Sequence, residues 1–105
     1  MKRHLLSLAL AALALMSATP AQASADLAKS KNCMACHAAD KKIVGPSYQE
    51  IAKKYASQKD AEQMLAKSIK AGGSGKWGPV PMPAQAALSE GDAKLLAAWV
   101  LAGAK

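Results

Sequence analysis

Four stretches of this chain carry apolar residues at the three- and four-residue spacing that lines one face of an α-helix. The first starts at about Asp26, where a negative charge suits a helix N-terminus, and runs into residues 33–37 with Leu27, Ala28 and Met34 on its apolar face. The second covers residues 48–55, turning Tyr48, Ile51, Ala52 and Tyr55 inward and Gln49, Glu50, Lys53 and Lys54 toward water. A third begins near Asp60, expected to cap it together with Gln63, buries Ala61, Met64, Leu65, Ser68 and Ile69, and stops at Gly72-Gly73. The fourth opens at Ser89, with Asp92 completing the start signal, carries Leu95, Leu96, Trp99 and Val100 inward, and ends near Gly103.

Two breaks separate these helices. Ile43-Val44-Gly45-Pro46 cannot continue one, because proline lacks a backbone donor and disfavours the α region for the residue before it. Residues 72–83 hold too many glycines and prolines for any regular element, yet they include Trp77 and Met82, so something must order them. Beyond the first 23 residues there is no phenylalanine or threonine, and valine and isoleucine are few, which argues against sheet. The fold class is all-α, with about four helices in one domain.

The N-terminus reads differently. Lys2, Arg3 and His4 precede an apolar run of about 12 residues, then small residues ending in Ala21-Gln22-Ala23 or Ala23-Ser24-Ala25, the layout of a secretory signal peptide. The run is well short of the roughly 20 residues that span a bilayer. Residues 1–23 are therefore expected to be removed, with cleavage after Ala25 fitting equally well. Residues 24–105 form the mature domain, a soluble periplasmic protein without a stable membrane anchor. A domain of about 80 residues seldom holds together on an apolar core alone.

The staple is legible at Cys33-Met34-Ala35-Cys36-His37. C-x-x-C-H reads as a c-type haem attachment sequence, in which two thiols three residues apart bond one porphyrin edge and the adjacent imidazole reaches the iron. A thioredoxin-like redox pair would need a preceding strand and a parallel-sheet pattern, neither of which is visible. A zinc site would need four ligands, and the other histidine, His4, lies in the leader. A plain disulfide remains open but does not explain His37. Of the mature methionines, Met34 is pinned between the cysteines and Met64 lies in the third helix's stripe, which leaves Met82 for the far side of the iron.

His37, the Gly45-Pro46 loop, the run Trp77-Gly78-Pro79-Val80-Pro81-Met82-Pro83 and a final helix bearing Trp99 make the chain resemble the small bacterial class I cytochromes c, of the c-551/c-552 type. The resemblance implies one covalent haem c on Cys33 and Cys36, with His37 and Met82 as axial ligands of its iron. It implies that the Pro46 carbonyl accepts a hydrogen bond from the outer nitrogen of His37, and that the Trp77 indole donates to a haem propionate. One departure stands out: the family often has Met-Pro-Pro-Asn, with the amide steadying the sulfur, whereas this chain reads Met82-Pro83-Ala84-Gln85.

The mature chain has twelve lysines, no arginine and seven acidic residues, a net charge of +5. Nucleic-acid binding usually brings arginine and stacking aromatics, and export excludes it further. Most of the lysines, including Lys53, Lys54, Lys67, Lys70 and Lys94, read as a solvated surface. The function expected is a monomeric one-electron carrier, not an enzyme; the resemblance implies redox partners such as a terminal oxidase, a nitrite reductase or a membrane cytochrome complex. The alternative, a haem enzyme or gas sensor, would need an open iron position and a distal acid or base. Docking is expected at Met34, Ala35, Pro79, Val80, Pro81 and Pro83, bordered by Lys31, Lys41, Lys42 and Lys76.

Overall fold

Thr19 sets where the first helix begins. Its side chain accepts a hydrogen bond from the Gln22 backbone N–H at 3.3 Å, and Pro20 fills the first helical position, so α1 (Pro20–Ser30) starts well ahead of Asp26. The computed structural model describes residues 19–105. Most of the expected leader, residues 1–18, lies outside the described residues, and both candidate cleavage points fall within α1. No helix among the described residues is long and apolar enough to cross a membrane.

Contrary to expectation, α1 does not run into the cysteine motif. Asn32 takes a left-handed conformation (φ 62°), which asparagine tolerates better than most residues, and this ends the helix. A single 3₁₀ turn, Cys33–Ala35, follows.

The second helix, α2 (Tyr48–Tyr55), has the expected bounds and faces: Tyr48, Ile51 and Tyr55 are buried, and Ser47 caps it by accepting from the Glu50 N–H at 3.1 Å. The third, α3 (Ala61–Ala71), lacks the side-chain cap expected of Asp60. Asp60 adopts φ −104°, ψ 21°, away from the extended conformation shared by Ser47 and Ser89, and only its backbone carbonyl engages the helix, accepting from Met64 N–H at 2.9 Å. In α4 (Glu90–Leu101) the Ser89 hydroxyl accepts from the Asp92 N–H at 3.1 Å, as the sequence predicts.

The core gathers around α4, which packs against α1, α2 and α3. Ala93, Leu96, Ala97 and Val100 form its inward stripe at i, i+3, i+4 and i+7, with Trp99 beside them. Leu95 is the correction here: it is 52 % exposed, because it shares the solvent side with Gly91 and Ala98. Ala28, Ala93 and Ala97 are fully enclosed, so α4 meets its neighbours across small side chains. Leu88, in the turn before α4, is also buried and was not anticipated. Leu96→Ala is expected to destabilise the protein by about 2–5 kcal/mol, and Leu95→Ala by no more than about 0.5 kcal/mol. Denaturant midpoints of the two variants check this.

Candidate functional site

The turn after Asn32 closes tightly on itself. The N–H groups of Cys36 and His37 both donate to the Cys33 carbonyl, at 3.2 and 3.0 Å. Side chains three apart nearly eclipse in a 3₁₀ turn, which brings Cys33 and Cys36 to the same side. Both side chains are half-buried, and no disulfide joins them. Burial pushes the Cys33 thiol pKa up, against the smaller opposing effect of a backbone hydrogen bond.

His37 is held more firmly than either cysteine. Its Nδ1 lies 2.7 Å from the Pro46 carbonyl, and because a carbonyl can only accept, Nδ1 carries the hydrogen. In the neutral ring this leaves the Nε2 lone pair for a metal. The loop that delivers Pro46 is stitched to the motif: Gly45 N–H donates to Cys36 O at 2.8 Å, and His37 pairs with Lys42 in an isolated antiparallel bridge. Gly45 is required here by space alone, since a Cβ would sit 2.6 Å from His37 Cε1. Beyond the motif, the Ala38 and Ala39 carbonyls accept from the Tyr48 and Gln49 N–H groups, at 2.9 and 3.1 Å, so the same segment satisfies the opening donors of α2.

Tyr48 does more than fill the core. Its ring stacks on His37 with centroids 5.5 Å apart, contacts Trp99 of α4 at 5.0 Å, and its hydroxyl donates to Met34 Sδ at 3.5 Å. Burial, assisted by the nearby Cys33, pushes its pKa up to about 12. The imidazole is thus fixed by a hydrogen bond at one nitrogen and by an aromatic face.

Met82 comes from the other irregular loop. Its N–H donates to Gly73 O at 2.7 Å and its carbonyl accepts from Gly73 N–H at 3.1 Å, while Gln85 N–H donates to Ile69 O at 3.1 Å. The methionine backbone is therefore clamped to the C-terminal end of α3. Gly72 (φ 66°) lets the strands of this clamp approach, because a Cβ there would lie 2.5 Å from Met82 O. Gln85 contributes its backbone; among the described residues no side-chain hydrogen bond reaches the sulfur of Met82, a half-buried residue.

Trp77 stands in a turn closed by Gly75 N–H donating to Gly78 O at 2.8 Å. Lys54, read from the sequence as a solvated charge, instead donates to Lys76 O at 3.1 Å and lies 4.3 Å above the Trp77 ring centre. Cys33, Cys36, His37 and Pro46 thus form one hydrogen-bonded group, while Trp77 and Met82 share the second irregular loop but are held by separate bonds, and among the described residues no hydrogen bond joins that loop directly to the first group. Ile43 and Val44, 48 % and 47 % exposed, were missed as surface residues; beside them in kind stands Val80 at 59 %. A pair of thiols in one turn, an imidazole with its outer nitrogen already occupied and a thioether on a clamped loop make a donor set that fits a covalently held haem.

Comparison with known proteins decides the family. The family model described as Cytochrome c matches residues 21–104. The chain is 54 % identical over 91 residues to cytochrome c-552 of Nitrosomonas europaea, covering 87 % of this chain and 88 % of that one. It is 53 % identical over 75 residues to cytochrome c-551 of Pseudomonas aeruginosa, covering 71 % of each. The chain belongs to the cytochrome c family.

The fold agrees: the crystal structure of wild-type Nitrosomonas europaea cytochrome c552 superposes with a TM-score of 0.73 at 52 % identity, covering 75 % of this chain and 98 % of that one. A class 1 cytochrome from Sideroxydans lithotrophicus superposes at 0.71 with 32 % identity, over 84 % and 100 % of the two chains. This cytochrome c accordingly carries one covalent haem c with its iron, and its relatives are electron-transfer proteins. Gly45→Ala should destabilise it by about 1–3 kcal/mol, because the His37 ring cannot retreat without losing Pro46. Thermal unfolding gives the loss, and a shifted His37 ring signal in NMR spectra locates it.

Proposed function

We propose that the protein is a periplasmic one-electron carrier whose haem is bonded to Cys33 and Cys36 and whose iron is ligated by His37 and Met82. The observation that supports this most strongly is the His37 Nδ1 hydrogen bond to Pro46 O at 2.7 Å, which leaves Nε2 as the donor nitrogen and fixes its direction. The haem supplies the reversible one-electron couple of its iron. The chain's own task is to keep both axial positions filled and rigid, so that neither substrate nor gas reaches the metal. Tyr48 backs the imidazole, the Gly73 clamp fixes the methionine backbone, and Trp77 offers its indole N–H to a propionate.

Residues 1–23 are read as the export signal, removed after Ala23 or Ala25, and the mature protein as a monomer. Electrons pass at an apolar patch of Met34, Ala35, Pro79, Val80, Pro81 and Pro83, to which the exposed Ile43 and Val44 add, with Lys31, Lys41, Lys42 and Lys76 at its border. Such a surface suits brief contact with an acidic redox partner such as an oxidase, a nitrite reductase or a membrane cytochrome complex.

Met82→Ala tests the ligand set: the reduction potential should fall and carbon monoxide should bind the reduced protein. An unchanged potential with no carbon monoxide binding would assign the sixth position to another residue. For docking, Lys41→Glu with Lys76→Glu should slow electron transfer to an acidic partner and flatten its dependence on salt, since exposed charges are screened beyond about 8–10 Å at physiological ionic strength. Stopped-flow rates against ionic strength check this, and Val80→Asp should slow transfer at every salt concentration.

A further inference from the structure

We propose that Lys54 is a positioning residue for Trp77, latching the 74–78 turn to α2 and placing a positive charge beside the haem edge that Trp77 serves. Lys54 lies in the last turn of α2, and its contact partners are 22 and 23 positions further along the chain. Its ammonium group donates to Lys76 O at 3.1 Å and lies 4.3 Å from the Trp77 ring centre, so one side chain grips both residues at the tip of the turn. The turn has little else to hold it. Its internal bond runs from Gly75 N–H to Gly78 O, both glycines adopt positive φ (97° and 114°), and among the described residues Lys54 makes the one side-chain hydrogen bond to it. Without Lys54, a glycine-flanked tryptophan that is 39 % exposed would have no fixed plane.

A cation over the ring face does not compete with the indole N–H, which points out in the ring plane. Lys54 can therefore hold Trp77 while the N–H donates elsewhere. The inference rests on the reading that this N–H meets a haem propionate. On that reading the Lys54 charge sits close to the haem, where it disfavours the more positive oxidised state and raises the reduction potential. Lys53, one residue earlier on α2, carries the same charge with neither contact, and separates position from mere net charge.

The test uses haem-loaded protein, with Trp77 indole N–H exchange followed by NMR and the electron-exchange equilibrium measured against a mediator. Lys54→Gln should speed indole exchange about fivefold. It should also move the equilibrium about threefold toward the oxidised protein, about 28 mV at 59 mV per tenfold for a one-electron couple. Lys54→Arg should restore both, and Lys53→Gln should change neither. In a Trp77→Phe background, Lys54→Gln should shift the equilibrium by less than half as much. Wild-type exchange and potential in Lys54→Gln, an equal shift in Lys53→Gln, or failure of Lys54→Arg to restore them would each overturn the proposal. If Trp77→Phe alone leaves the potential unchanged, the propionate reading falls instead.

Discussion

The hydrogen bond from His37 Nδ1 to the Pro46 carbonyl is the constraint from which the rest of the structure follows. For the carbonyl to reach the ring, the chain must fold back over the motif within a few residues, and the Gly45 backbone must then lie against the imidazole with no room for a side chain. The next residue, Ser47, caps α2, and the one after it, Tyr48, is carried by that helix onto the ring's flank. Since α4 packs on α2 and brings Trp99 to Tyr48, the aromatic contacts from histidine to the core are continuous. A side chain held this way cannot rotate without disturbing the centre of the protein, which suits the ligand role proposed for His37 in a carrier that changes oxidation state with little rearrangement.

The methionine side is built on another principle. Residues 72–83 form no helix, and order is imposed at separate points: the Gly73–Met82 pair, the Gln85 bond to Ile69, and the Lys54 contact with Trp77. The last two ties reach helices that pack elsewhere on the core. The loop is thus rigid where it borrows support from α3 and α2, and its exposed proline and valine residues remain available to a partner.

Features set by local chemistry were legible in the sequence. Helix α2 and the Ser89 cap follow from residues whose roles are fixed by a few neighbours, whereas the Pro46 contact was implied by the family resemblance. Features set by tertiary balance were not. The break at Asn32 depends on a left-handed residue that the α1 pattern does not reveal, and the missing Asp60 cap depends on how the chain enters α3. Leu95 lies one step away from a stripe of small residues, where hydrophobicity alone points the wrong way and only the placement of Ala93 and Ala97 shows which face is buried. Lys54 could not be told from Lys53, because its partners are distant in sequence.

The central claim is that the iron is held between His37 and Met82, and the most direct measurement is NMR of the reduced holoprotein with methionine methyl groups labelled. A methyl bound at the iron lies over the porphyrin and is shifted far upfield by its ring current. With Met82 on the iron there is one such signal, belonging to Met82, and Met34 and Met64 stay near their usual positions. An unshifted Met82 methyl, or a displaced signal belonging to either of the others, would contradict it.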